Sequence, residues 1–166
     1  MNARSRFMLA APVLQRPVAD DPAARPPRLS DADALGALLL DAYRGTPDDE
    51  GETLDDARRI VREIFAGAAG TVMWSVSEVT EREGRLVSAT IVTLWQDLPL
   101  LAQMVTAPDW QRRGMARAGL LRTINRLAAG DETVVRLVVT QGNTRAEALY
   151  ESLGFRPEAQ PPFNSA

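Results

Sequence analysis

The chain has no cysteine, no histidine and no lysine: all nineteen of its basic residues are arginine. Each absence removes a chemistry. Without thiols there is no disulfide framework, thiolate nucleophile or Cys-based metal site, and without imidazole there is no Ser-His-Asp triad or His-based metal site. Without an amine side chain there is no Schiff base and no Walker lysine, which excludes a P-loop NTPase. What remains to carry a reaction are carboxylates, hydroxyls, arginine, backbone dipoles and ordered water. The Ala- and Arg-rich, Lys-free composition also suggests a GC-rich, bacterial genome, a bland origin that leaves the exclusions standing. Long apolar runs are missing too. The stretch Phe7 to Leu14, with Arg4 and Arg6 before it, imitates a secretory signal, but it is short, carries Pro12 and lacks a small-residue cleavage site. The expectation is a cytoplasmic protein with no membrane partner. A net charge of −3 gives no basic excess, which disfavours nucleic acid.

What is present fits one ordinary domain: 166 residues, 45% hydrophobic and 25% charged. Residues 1–28 are rich in proline and arginine with little apolar periodicity, and read as an N-terminal tail or arm that packs weakly, the domain occupying 29–166. Ser30 to Asp33 resembles a capping box, followed by Leu35, Leu38, Leu39, Ala42 and Tyr43 at helical spacing. An acidic loop follows at Gly45 to Gly51. Thr53 then caps a second helix with Ala57, Ile60, Val61, Ile64 and Phe65 on its apolar stripe. From Gly70 the period changes to 2, so Thr71 to Thr80 and Arg85 to Trp95 read as a hairpin, with Trp74 and Trp95 in its core. Leu100 to Thr106 reads as a strand buried on both faces, Met115 to Ala128 as a helix with Arg117, Arg122 and Arg126 largely on its outer side, and Thr133 to Thr140 as a strand. Strand, helix, strand implies a right-handed crossover and a parallel pair.

Between the first of those strands and its helix lies Gln111-Arg112-Arg113-Gly114-Met115-Ala116. A strand that ends in a Gly-containing loop and opens into a helix leaves backbone N–H groups unpaired at the positive end of the helix dipole, which is a site for anions. Arg112 and Arg113 can add charge-assisted contacts worth roughly 1.5–3 kcal/mol each to phosphate oxygens. A solvated arginine pair is the plainer alternative, but positive charge at a helix start opposes the dipole unless an anion reverses the sign.

A second pattern follows the last clear strand: Asn143, Ala146, Leu149, Tyr150, Leu153, Gly154 and Phe155. Asn143 can cap a short helix, Tyr150 lies one turn beyond Ala146 on the same face, and Gly154 permits a left-handed stop. Together, the strand, the Q-x-x-G-x-A loop, the helix, the strand and N-x-x-A-x-x-L-Y-x-x-L-G-F resemble the GNAT superfamily of acetyl-CoA-dependent N-acetyltransferases. The resemblance covers the chain from Leu29 onward, and before it the family's usual first strand is not evident.

The resemblance implies an α+β fold of the GNAT type: a mixed, mostly antiparallel central sheet with one parallel strand pair after the hairpin and helices on both faces. It implies an acyltransferase, with acetyl-CoA as co-substrate and no metal. The loop Gln111, Arg112, Arg113, Gly114, Met115 and Ala116 would hold the CoA pyrophosphate, Met104, Val105 and Thr106 would pair with the pantetheine arm, and Asn143 and Ala146 would lie against the cofactor. Tyr150 would be the general acid for the departing thiolate. Without cysteine the transfer to a primary amine, on a small molecule or a peptide, would be direct. For the general base the choice is Glu78, by alternation with Trp74 and Val76, with Asp97 second. The acidic residues Asp48, Asp49, Glu50, Glu52, Asp55 and Asp56 read as a solvated face and a helix first turn. The rival from another class is a non-catalytic acyl-CoA-binding sensor or regulatory module. A homodimer stays open.

Overall fold

Strand β5 (Arg85–Trp95) sorts the core of the computed structural model, which describes residues 6–158. Successive side chains on a strand point to opposite faces. On one face Val87, Ala89 and Ile91 pack against α1 (Ala32–Tyr43) and α2 (Leu54–Phe65). On the other, Val92 joins a cluster with Leu120, Ile124 and Leu127 of α3 (Met115–Ala129) and with Tyr150 of α4 (Thr144–Ser152). The remaining strands are β1 (Arg6–Pro12), β2 (Ala24–Arg25), β3 (Thr71–Val72), β4 (Glu78–Arg82), β6 (Leu98–Thr106), β7 (Val134–Thr140) and β8 (Arg156–Pro157). Their order is β2-β4-β5-β6-β7-β1-β8, with β3 also on β5. This is the expected mixed sheet, and β6 with β7 is its parallel strand pair among the described residues.

That parallel pair is short. Only Leu100 with Arg136 and Leu101 with Leu137 are in register. Opposite β5 the register jumps from Gln103 to Leu101 across Ile91 and Val92, so Ala102 is an extra residue on β6. A bulge of this kind bends its strand and raises the local twist. Beyond it β6 stays on β5 to Thr106, while β7 stays on β1, and the two inner strands part.

Three expectations need correction. The first concerns the arm. Residues 6–12 are a strand held between β7 and β8, with Met8, Leu9 and Ala11 buried. The segment after it is pinned through Asn125, which accepts from Arg16 N–H at 2.8 Å and donates to Arg16 C=O at 2.7 Å. Burial alternates at Leu9, Ala11 and Val13, but Ala10 and Pro12 between them are apolar too, so the sequence shows no period of 2. Second, Thr71 to Thr80 is not one strand: residues 73–77 turn between β3 and β4, with Ser77 Oγ receiving Val92 N–H at 2.9 Å. Third, the expected box at Ser30 to Asp33 is absent. Instead Asp31 accepts from Arg28 N–H at 2.7 Å and takes Arg25 through two bonds of 2.9 Å. At α2 the expected cap holds: Thr53 accepts from Asp56 N–H at 3.2 Å, and Asp56 returns a bond from Thr53 N–H at 3.0 Å.

Between α3 and the sheet lies a buried polar layer. Glu78 is 2% exposed, and its carboxylate takes Arg122 Nη2 at 2.5 Å and Nε at 3.0 Å, with Arg126 Nη2 at 2.9 Å. Arg122, expected on the outer side of α3, is buried there and also donates to Ala19 C=O at 3.1 Å. Gly119 lets the helix approach: a Cβ there would lie 3.3 Å from Thr90 Oγ1 and 3.5 Å from Glu78 Oε1. Removing one partner of a buried ion pair strands the other. Glu78→Gln is therefore expected to cost about 3 kcal/mol. At about 2–4 °C per kcal/mol the melting midpoint falls by roughly 6–12 °C. Calorimetry checks this, and an unchanged midpoint would remove the structural role assigned to Glu78.

Candidate active site

The parting of β6 and β7 opens a cleft, and both sequence patterns converge on it. One side of β6 has no strand partner from Ala102 to Thr106. Its end carries the loop into α3. Arg112 (φ +60°) and Gly114 (φ +75°) are left-handed, with Arg113 between them. Alternation of left- and right-handed residues turns successive N–H groups to one side, a concavity suited to anions. The first intrahelical bond of α3 runs from Ala118 N–H to Gly114 C=O, leaving the N–H groups of Met115, Ala116 and Arg117 without helical partners. Nothing lies within 4 Å of the place a Gly114 Cβ would occupy. Gln111 ties the loop down: its amide donates to Thr106 C=O at 3.0 Å and its oxygen accepts from Arg145 at 2.8 Å.

This end of the cleft encloses about 330 Å³, and Arg112, Arg117 and Arg145 line it with Met104, Val105 and Thr106. Gln111, Gly114, Met115, Ala116, Asn143 and Ala146 border it as well, as do Tyr43 and Asp48. Arg113 does not: its guanidinium stacks 4.6 Å from the Trp110 ring centre and faces the hollow on the other side of the loop. The two arginines read as a pair are thus divided by the left-handed turn. Open N–H groups, three arginines and an unpaired strand edge fit a long pyrophosphate ester with an amide-bearing arm, which is the chemistry of CoA.

Beyond Asn143 the cleft continues into a smaller chamber of about 140 Å³, bordered by Tyr150, Tyr43, Asp48, Gln103 and aliphatic residues of β6 and β7. Asn143 sits at the junction. Its Oδ1 accepts from Ala146 N–H at 3.3 Å, the cap of α4, and its Nδ2 donates to Asp48 Oδ2 at 2.9 Å. Tyr150 is 8% exposed, held by an edge-on contact with Phe155 at 5.7 Å. Burial, and then the Asp48 charge, push its phenol well above the ordinary value, so it is neutral near pH 7. Tyr43, whose hydroxyl donates to Gln103 at 2.8 Å, is raised for the same reasons, burial first.

Neither carboxylate expected as the base is in this chamber. Glu78 is committed to Arg122 and Arg126 beneath α3. Asp97 lies in the left-handed Gln96-Asp97 turn before Leu98, at the far end of β6 from Thr106, roughly 25 Å away at ~3.3 Å per residue. The carboxylate that does reach the chamber is Asp48, from the loop that read as a solvated face. Its neighbours explain the difference. Asp49 accepts from Gly45 N–H at 2.9 Å and Gly51 N–H at 3.0 Å, and Thr46 accepts from Asp48 N–H at 3.2 Å. The loop closes on itself and turns Asp48 inward. Tyr43 and Gln103 were also missed as site residues, since each follows an ordinary core pattern in sequence.

Residues 69–157 match the family model described as "Acetyltransferase (GNAT) domain", and the chain belongs to that family. It is 32% identical over 128 residues to a mycothiol acetyltransferase from Beutenbergia cavernae, an alignment covering 74% of this chain and 40% of that protein. Over 74 residues it is 35% identical to the [ribosomal protein bS18]-alanine N-acetyltransferase of Escherichia coli, covering 45% of this chain and 50% of the other. The chain thus spans half or less of these curated relatives. The solved structure of the Escherichia coli ribosomal-protein-S18-alanine N-acetyltransferase superposes with a TM-score of 0.63 at 25% identity, covering 82% of this chain and 78% of that one. A PaiA N-acetyltransferase from Thermoplasma acidophilum, solved with coenzyme A, shares the fold with a TM-score of 0.66 at 13% identity, over 84% of this chain and 92% of that one.

Asn143→Ala removes the cap of α4 and the bond to Asp48 together. The expected cost is about 1–2 kcal/mol. A thermal melt should show this as a fall of roughly 2–8 °C, at about 2–4 °C per kcal/mol; no fall would mean that the bridge between α4 and the 45–51 loop contributes nothing.

Proposed function

We propose that the chain is an N-acetyltransferase that moves the acetyl group of acetyl-CoA directly to a primary amine within one ternary complex. The observation that carries this is the joining, along one unpaired strand edge, of an arginine-lined anion cradle with a chamber holding a buried, protonated phenol. Arg112, Arg117, Arg145 and the N–H groups of Met115, Ala116 and Arg117 would hold the phosphates, and the Met104 to Thr106 edge would pair with the arm. Asn143 and Ala146 would flank it. The donor's reactive end then falls at the chamber.

In the reaction the amine nitrogen attacks the thioester carbonyl, forming the C–N bond. The C–S bond breaks, Tyr150 gives its proton to the departing sulfur, and the nitrogen gives up one proton that restores the phenol. An amine that arrives as its ammonium form releases one further proton to solvent. With no cysteine, histidine or lysine in the chain, no acyl-enzyme on those groups precedes this step. Positioning and the single acid carry the rate. The relatives' names divide between mycothiol and a ribosomal protein, so both a small molecule and a protein amine are admissible acceptors. Those relatives are bacterial, and a bacterial cytoplasmic enzyme is the accompanying reading.

Tyr150→Phe is expected to lower kcat about 10²–10⁴-fold while leaving CoA affinity unchanged, measured by free-thiol release and calorimetric titration. An unchanged rate would remove Tyr150 from this role. Because the folded phenol titrates above its ordinary value, the acid form persists upward in pH: wild-type kcat should show no alkaline loss below about pH 10, the ordinary tyrosine value. The donor end has its own test. Gly114→Ala must hold a left-handed residue, at about 1–2 kcal/mol, and places a methyl where the phosphates would sit. The Kd for CoA should rise at least about 10-fold, whereas Arg113→Ala, on the other side of the loop, should change it less than about 3-fold.

A further inference from the structure

The arginines of the cleft border its donor end alone, whereas Asp48 borders both hollows and is the one charged residue at the inner one among the described residues. We infer that Asp48 receives the acceptor's ammonium group, and that the acceptor is a cationic primary amine with no carboxylate beside the amine. This rests on the transferase reading above.

Among the described residues no arginine borders the inner chamber, whereas three border the donor end. Asp48 is the one charged residue among the described residues that border the chamber. Tyr43 from α1 and Tyr150 from α4 stand around it, both held neutral by burial. Gln103 is already engaged by the Tyr43 hydroxyl at 2.8 Å. From β1, Arg6 is near enough for its charge to act on Tyr43, but its guanidinium is taken by Glu50 at 2.9 Å at the rim. A carboxylate adjoining the reactive amine would therefore enter without a cation to meet it, beside Asp48 and against its charge. An ammonium meets the reverse: a half-buried carboxylate whose Oδ2 already accepts one N–H, from Asn143 Nδ2 at 2.9 Å. The other oxygen lone pairs remain for a second donor. Leu101, Val138 and Val139 of β6 and β7 border the chamber beside the polar Thr140, so uncharged groups of both kinds surround the place of the amine. The small volume admits the reacting end of the acceptor rather than a whole large molecule.

Asp48 is a positioning and selecting residue here. It touches the amine, orders it for attack, and imposes the charge requirement. Its place at the junction has a second consequence: Asn143 holds Asp48 in the same orientation from the donor side, so that bond spans the boundary between the two ends of the cleft.

The test is free-thiol release from acetyl-CoA by the full chain, against three sets of amines at neutral pH. Amino acid amides and linear alkylamines are cations, the matching free amino acids are zwitterions, and substituted anilines are neutral. Turnover is expected with members of the first set, at least about 10-fold better in kcat/KM than with their zwitterionic counterparts. Asp48→Asn keeps the oxygen that accepts from Asn143 and removes the charge. It should raise KM for the amine about 10–100-fold, with KM for acetyl-CoA and the melting midpoint unchanged, and Asp48→Glu should recover part of the loss. Preference for anilines or zwitterions, or an Asp48→Asn KM within about twofold of wild type, overturns this inference and leaves the transferase standing. Absence of turnover with all three sets, with CoA binding intact, overturns the transferase reading and this one with it.

Discussion

The site depends on a refusal to pair. After Leu101 and Leu137 the two parallel strands stop sharing register, and the extra residue Ala102 bends β6 away. A continued ladder would satisfy the backbone groups on that side of β6 internally and leave no room between the strands. The bulge instead keeps β6 bonded to β5 while exposing its other edge for four further residues after Ala102. Such an edge is a template for any chain with amide groups, and in a closed sheet it would be a liability. Here α4 and the 45–51 loop cover it from either side, joined through Asn143 and Asp48. The opening is therefore selective in what can reach it.

A cleft made by splaying two strands must be braced elsewhere, because the missing ladder removes cohesion from the middle of the sheet. The brace is α3, which touches both β5 and β6 and carries the anion cradle at its start. Its orientation rests on the Glu78 carboxylate, clasped by two arginines one helical turn apart. A buried ion cluster is not an economical way to gain stability, since desolvation offsets much of the attraction. It does fix direction: fork geometry and charge allow few alternative seatings of α3, while aliphatic packing alone would tolerate sliding. The Arg122 bond to Ala19 C=O extends the same constraint to the N-terminal segment, so the first strand and the cradle share an anchor.

Most of this was legible in the sequence where a local rule governs. Helical spacing gave α1 to α4 within a few residues, β5 and β7 followed from their β-branched runs, and the Gln111 to Ala116 and Asn143 to Phe155 patterns sit where the cleft is. What failed depended on tertiary covering or on competing partners. The apolar run at residues 7–14 shows no alternation in sequence because Ala10 and Pro12 separate the buried Leu9, Ala11 and Val13, so it imitated a leader. Glu78 was placed by alternation with Trp74 and Val76, but those two lie in a turn, and sequence cannot show that Arg122 and Arg126 reach Glu78 from 44 and 48 residues away. Asp48 could not be told from its acidic neighbours either. Its distinction comes from Asp49 and Thr46 folding the loop, and from an asparagine 95 residues later.

The missing residue types now have a positive meaning. A protein without histidine or lysine cannot place a group of near-neutral pKa beside its substrate by simple choice of side chain. The alternative is to alter the setting of ordinary groups. Burial does this to Tyr150 and Tyr43, pushing both phenols upward so that they keep their protons, and the Asp48 charge pushes in the same direction. The effects are mutually consistent: the burial that keeps both phenols neutral also limits solvent screening of the Asp48 charge beside them. Asn143, which caps α4 and donates to Asp48, stands at the point where the strands part and joins the two hollows of the cleft. The geometry, more than any unusual side chain, supplies what the composition withholds.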